Sequence, residues 1–275
     1  MKNRKKQSRA KATYIVVLGL VPLTAALLSL VLKLDFLLST ILFFGVPALY
    51  LSLKETEKVP RVLVFSVLFS LAGLYADYIA ERDLAWAGPS TIFPVRIGGL
   101  VPIENLVWFF LLTYFILIFY EHFFDHFRHK TVGRRMYLLY IVLVLATLAF
   151  CALLLLDSRA MTVSYFYLKL GLILGLLPVV AFLVGFPKFL GVFLKTAPYF
   201  IALCLLNEFV GLHNGYWTFP GHDFIGWVHL GSYRIPWEEL IFWIVMFSSI
   251  VIIYFEVFDD NRLHLGYRSR PPRPS

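Results

Sequence analysis

Runs of apolar residues decide what this chain can fold into, because an α-helix needs about 20 of them to cross the hydrocarbon core of a bilayer. Eight such runs are read from the sequence, at roughly 13–32, 36–53, 60–80, 100–120, 136–156, 161–186, 189–208 and 236–256. They leave little chain for a separate soluble domain, and only the second is short for a span. Of the 275 residues, 60% are hydrophobic and 15% charged, whereas soluble domains are about half apolar and a quarter charged. The expected fold class is therefore all-α: a polytopic transmembrane helix bundle of about eight spans. The first run follows a basic segment, Met1–Lys11. It is longer than a secretory core and no small-residue cleavage site follows it, so it is read as a first transmembrane helix rather than a signal peptide.

The formal net charge is +8, and its placement argues for topology rather than nucleic-acid binding. Lys and Arg gather at residues 1–12, at Lys54, Lys58 and Arg61, at Arg128, Lys130, Arg134 and Arg135, and in the tail after residue 258. With eight spans all of these fall on one side, while the opposite loops carry only Lys33, Arg82, Arg96, Arg159 and Arg234. By the positive-inside rule both termini are expected in the cytoplasm, with the chain in the cytoplasmic membrane. Cys151 and Cys204 lie within apolar runs and are read as small hydrophobes, not as a disulfide or metal ligands.

The chain repeats itself. Asp77 ends one apolar run, Trp86 follows, and the next run opens with Pro102-Ile103-Glu104-Asn105; Glu208, Trp217 and Pro236-Trp237-Glu238-Glu239 follow the same order. Tyr120 and Tyr254, Phe124 and Phe258, Asp125 and Asp259, and Arg128 and Arg262 recur at a separation of 134. The expected organisation is a basic N-terminus (1–12), a first repeat (13–135), a second repeat (136–258) and a basic tail (259–275). Four spans per repeat make the copies parallel, and such repeats place the working site at their interface. The loops at about 81–99 and 209–235 are rich in aromatic residues, Gly and Pro. Trp86, Phe93, Trp217, Phe219, Phe224 and Trp227 either form an interfacial belt or fold inward to line a cavity.

Acidic residues at membrane depth are costly and mark functional sites. The candidates are Asp77, Glu104, Glu208, Glu238 and Glu239. A structural reading competes for Glu104 and Glu238: Pro at the first helical position puts Glu at the third, where an acid complements the helix dipole. Against that, both repeats carry the same opening, each matched by an acid at the end of the preceding run. Two carboxylates close together in a low-dielectric place cannot both ionise easily, which leaves one able to act as a general acid. His122, His126 and His129 share a helical face but lie across the membrane from His213, His222 and His229, so a solvated loop is expected there and no metal site. No Gly-rich dinucleotide fingerprint, nucleophile elbow, phosphate-binding loop or Asp-rich prenyl-diphosphate motif is present.

The motifs Asp77…Trp86…Gly98-Gly99…Pro102-Ile103-Glu104 and Glu208…Trp217-Thr218-Phe219-Pro220…Ile225-Gly226…Pro236-Trp237-Glu238-Glu239 resemble those of the integral-membrane lycopene cyclase domain family. These are the non-flavin carotenoid cyclases found as paired subunits in actinobacteria and as a fused tandem in archaea, other bacteria and fungi. The resemblance covers about 13–258, and its most specific part is the Trp-x-Phe-Pro…Pro-x-Glu-Glu arrangement of the second half. The first half departs from it: Asn105 stands in place of the second Glu, and Ala87-Gly88-Pro89 follows Trp86. The resemblance implies carotenoid biosynthesis by a lycopene cyclase-type isomerase (an intramolecular lyase) that closes ionone rings on the linear ends of lycopene or a related carotene. It implies no cofactor. The partners implied are a lipophilic carotenoid, membrane lipid and, left open, an oligomer with itself or with other carotenoid enzymes. Glu238 and Glu104 are the principal acid and base candidates, with Glu239, Glu208 and Asp77 in support. Trp86, Tyr216, Trp217, Phe219, Pro102, Pro236 and Trp237 are candidates for substrate contact. A helix N-terminus favours an anion, so if Glu238 stays ionised, Glu208 becomes the better acid.

Three other readings fit some of the same residues. A secondary transporter or proton-coupled carrier fits repeats with intramembrane carboxylates, but within the spans only Lys169, Lys195 and Asn207 add charge or amide. Another isoprenoid-modifying enzyme, such as a carotenoid hydratase, uses the same protonation and admits water. A non-catalytic membrane-assembly partner makes no use of the acids.

Overall fold

The computed structural model describes residues 13–89, 91–125, 132, 135–156 and 161–259, which form eight helical units and two small hairpins. The first half holds α1 (Ile15–Leu32), α2 (Phe36–Ser52), α3 (Val59–Arg82), β1 (Arg96–Ile97), β2 (Val101–Pro102) and α4 (Ile103–Phe123). The second half holds α5 (Met136–Leu156), α6 (Phe166–Gly185), α7 (Phe189–Asn214), β3 (Trp227–Leu230), β4 (Tyr233–Pro236) and α8, in which Glu239–Val245 continues at a 54° bend into Phe247–Phe258. Helices α1, α3, α4, α5, α6 and α7 are each long and apolar enough to cross a membrane, whereas α2 is shorter and α8 is bent. The architecture fits a helical integral membrane protein.

Prolines shape three of these helices. Pro lacks an N–H and its ring crowds the preceding turn, and a helix relieves this by widening to a π-helical stretch. Such stretches, Ile15–Leu20, Ile41–Gly45 and Gly171–Leu176, immediately precede Val21-Pro22, Val46-Pro47 and Leu177-Pro178. The fourth, Glu239–Val245, contains no proline and lies just before the bend in α8.

Helices α4 and α8 pack on each other at the centre of the bundle. Every residue of α4 from Leu112 to Glu121 is buried, as is every residue of α8 from Phe247 to Ile253. The margin is different: only 11% of the apolar window of α5 is covered. Leu155 and Leu156 of α5 are about fully bare, at 86% and 85% exposed, as befits side chains whose solvent is lipid.

At the end of the bundle away from the hairpins, α3 is locked to both halves. The Arg61 guanidinium, 1% exposed, pairs with Glu121 of α4 at 2.8 Å and with Asp259 beyond α8 at 2.6 Å. Lys58 reaches Glu121 at 3.2 Å, and the Tyr120 hydroxyl donates to Glu256. Charges read from the sequence as topological markers are thus also structural ones. His122 lies in α4 rather than in a solvated loop, half-buried between Glu55 (2.8 Å) and the Tyr14 hydroxyl (2.9 Å). His126, His129, Arg128 and Arg262 fall outside the described residues.

The hairpins were not expected from the sequence. β1 pairs antiparallel with β2, and β3 with β4. Gly98 and Gly99, at φ 60° and 78°, supply the first turn, and Gly231, at φ 63°, lies in the second. Left-handed backbone of this kind is open to glycine at little cost. A consequence is that Pro102 and Pro236 end strands instead of occupying the first helical position.

Candidate active site

The two hairpin loops fold over one end of the bundle and meet in its middle. Ala87 and Thr218 exchange both backbone hydrogen bonds at 2.9 Å as an isolated antiparallel bridge. These two residues are 131 apart, as are Asp77 and Glu208, and Trp86 and Trp217. Equivalent points of the two halves therefore touch, and the two tryptophans beside them are brought to one place.

Each indole N–H donates to the acid that precedes it by nine residues: Trp86 Nε1 to Asp77 Oδ1 at 2.5 Å, and Trp217 Nε1 to Glu208 Oε1 at 3.0 Å. The next partner differs between halves. Asn105 Nδ2 donates to Asp77 at 3.1 Å, whereas Glu239, its counterpart, lies beside Glu208 in the same cavity wall, near enough for the two carboxyl groups to interact. The Tyr167 hydroxyl donates to Glu239 Oε2, and its ring packs edge-on to Trp86 at 5.0 Å. Phe36, 131 residues before Tyr167, packs edge-on to Trp217 at 5.7 Å and has no hydroxyl to offer.

Asp77, Glu208 and Glu239 all line one cavity of about 400 Å³, together with Trp86, Trp217, Phe219, Trp108 and Trp243. Trp108 stacks on Trp243 with centroids 5.1 Å apart and leans against Trp217 at 5.9 Å; Trp243 stacks on Phe247 at 4.1 Å. The carboxyl pair thus faces a wall of aromatic rings in an otherwise apolar space. Such a site can hold a proton next to a hydrocarbon and offer π faces to a cation.

Glu104 and Glu238 do not line this cavity. Glu104 Oε1 accepts the backbone N–H groups of Ile92 and Phe93 at 2.7 and 2.8 Å, and Glu238 Oε1 accepts that of Ile225 at 2.8 Å. Both are fully buried, and each holds a hairpin loop down on the helix it begins. Among the substrate-contact candidates, Trp86, Trp217 and Phe219 face the cavity. Tyr216 lies outside it, donating to the Leu34 carbonyl at 2.6 Å and packing on Phe36 at 5.4 Å. Trp237 is 42% exposed, and Pro102 and Pro236 are buried in the strands.

The wall also contains Tyr167, Trp108, Trp243, Phe109 and Phe242, none of them singled out from the sequence. A signal existed. Tyr167 follows Phe36 by 131 and Trp243 follows Phe109 by 134, the offsets already carried by the acids. Asn105, seen in the sequence as a departure, proves to be a partner of Asp77.

Gly211 makes the Trp217 position possible, since a Cβ there would lie 2.2 Å from the indole ring. Gly211→Ala is expected to push the ring off Glu208 and destabilise the fold by about 1–3 kcal/mol, a typical overpacking penalty. Thermal unfolding of the detergent-solubilised variant reads this directly, and an unchanged midpoint would contradict the packing described.

Compared with known proteins, the chain matches no family model, no curated protein and no solved structure.

Proposed function

We propose that the protein is a carotenoid cyclase, closing the linear ends of lycopene or a related carotene into ionone rings within the membrane. The observation that carries this reading is the pair of buried carboxyl groups, Glu208 and Glu239, set against indole faces in an apolar cavity. Ring closure changes no oxidation state. A carboxylic acid adds its proton to the terminal double bond, the tertiary cation so formed is attacked by a second double bond, and a base removes a proton from the ring carbon beside the new charge. One proton enters, one leaves, and the product is an isomer of the substrate.

The helices divide these tasks. Glu239 stands in the first turn of α8, where the helix dipole favours an anion, whereas Glu208 lies well inside α7, beyond the reach of its terminal turn. The proton is therefore assigned to Glu208 as acid, and the negative charge to Glu239, which Tyr167 supports with its hydroxyl. Asp77, held by Trp86 and Asn105, is a second acceptor at the cavity wall. Desolvated cation–π contact is worth about 2 kcal/mol, and Trp217, Trp108 and Trp243 present faces for it. Apolar walls keep out water, which would trap the cation as an alcohol.

The same proposal takes the chain as two parallel four-helix repeats and eight spans, counting α2 and the bent α8, with both termini cytoplasmic. Support comes from the recurrent order of helices and hairpin and from the Ala87–Thr218 bridge between equivalent residues.

The test is expression in bacteria engineered to accumulate lycopene, followed by chromatography of the extracted pigments. Monocyclic or bicyclic carotenes are expected. Hydroxylated acyclic products would replace the cyclase reading with a hydratase, and unchanged lycopene beside well-inserted protein would overturn catalysis by this chain alone.

A further inference from the structure

We infer that the cavity continues from the carboxyl pair as a slender groove along α8, entered from the lipid between α5 and α6, and takes a long linear polyene lengthwise, one end at a time. This rests on the cyclase reading and adds the orientation, the route of entry and the order of events.

The lining residues set the direction. At the hairpin end are Asp77, Glu208 and Glu239; at the other end of the helices are Leu139 near the start of α5 and Phe258 at the end of α8. Glu239 to Phe258 covers roughly 25 Å at about 1.5 Å of rise per residue, allowing for the bend. The cavity of about 400 Å³ is thus drawn out along α8 rather than gathered at the carboxyl pair. Such a shape suits an extended chain better than a compact ligand.

The entrance follows from a difference between the two halves. In the first half α1 packs closely on α2. Its counterpart α5 packs instead on α3 and more thinly on α8, standing off from α6. Val142 of α5 and Leu174 of α6 both line the cavity, yet they are 57% and 52% exposed. They are the two lips of an opening on the flank of the bundle. Glycines let α8 close up on α6 beside them: a Cβ on Gly171 would fall 2.0 Å from the Phe242 ring, and one on Gly175 would lie 3.0 Å from Ile250.

Polar groups along the groove are already engaged. The Ser70 hydroxyl donates to the Ser66 carbonyl at 2.6 Å, and the Tyr254 hydroxyl to the Leu174 carbonyl at 3.1 Å. The walls beyond the carboxyl end thus suit hydrocarbon and not a polar solute. The carboxyl pair exists at one end only, since Asn105 occupies the place of Glu239 in the first half. A symmetric linear substrate must then leave by the lips and re-enter reversed for its second ring, so the monocyclic product is a free intermediate.

Val142→Trp and Leu174→Trp, each at an exposed lip that has room for a larger ring, test this in isolated membranes. Each is compared with Leu145→Trp, an exposed α5 position outside the lining. The substrates are lycopene and an apocarotenoid carrying one linear end on about half the chain. The lip variants are expected to lose about tenfold or more in turnover of lycopene and severalfold less in that of the short substrate, which passes the same lips with half the chain and leaves the far part of the groove empty. Leu145→Trp is expected to match wild type on both. Monocyclic product is expected to appear before bicyclic and to be chased into it. Equal loss on both substrates, no loss on either, or bicyclic product formed without free monocyclic intermediate would overturn the groove. A wild type inactive on both substrates would instead overturn the cyclase reading itself.

Discussion

Glu239→Gln is expected to lower ring formation at least about a hundredfold, the usual range for removing a positioned general acid or base. The substitution is nearly isosteric, and its amide oxygen still accepts the Tyr167 hydroxyl, so the helix and cavity remain. What it removes is the carboxylate beside Glu208 in the cavity wall. Glu208→Gln is expected to fall as far, and the double variant little further, because groups that act as a unit are not additive. Glu238→Gln and Glu104→Gln provide the contrast. In each the amide oxygen can still accept the loop N–H groups, so most activity is expected to persist. Pigment analysis of the four variants at matched protein levels checks this. Full activity of Glu239→Gln, or inactivity confined to Glu238→Gln, would move the chemistry back to the Pro-x-Glu positions.

Arg61→Met is expected to cost about 3–5 kcal/mol of stability, the range for stripping one partner from a buried ion pair. Arg61 is the charge that Glu121 (0% exposed) and Asp259 (6% exposed) share. Its removal leaves two carboxylates with Lys58 as the cation within 4 Å of Glu121. It also unties α3 from the end of α8. Thermal unfolding in detergent, followed by tryptophan fluorescence, is the measurement. Arg61→Lys restores the charge without the forked geometry that reaches both acids, and is expected to fall between wild type and Arg61→Met. A midpoint unmoved by Arg61→Met would show that the cluster does not hold these helices together.

Much of the candidate site was legible in the chain. Asp77, Glu208 and Glu239 were among the candidate acids, and Trp86, Trp217 and Phe219 among the candidate aromatic contacts; the structure brings all six to one cavity. Glu104 and Glu238 attracted attention because Pro-x-Glu occurs twice, yet their carboxylates hold loop backbone. Spacing reveals that two copies are equivalent, and it cannot reveal which way a side chain points from the first turn of a helix. Tyr167 was invisible for another reason. A tyrosine in an apolar run is unremarkable until its hydroxyl is seen on Glu239.

The amino-acid sequence by itself determined the class of fold, because apolar runs of bilayer length have almost no alternative to helices that satisfy their own backbone in lipid. It also carries the recurrence of the same residue types at constant offsets between its two halves. Only the tertiary structure decided which acids meet. Contact between Glu208 and Glu239 depends on how α7 and α8 are rotated against each other, and on a π-helical stretch and bend at Glu239–Val245 that no proline announces. It also decided that one half closes on itself while the other leaves a gap between α5 and α6. Helix facing and stand-off are set by side-chain packing between distant segments, and a periodic pattern that is apolar all round carries no record of them.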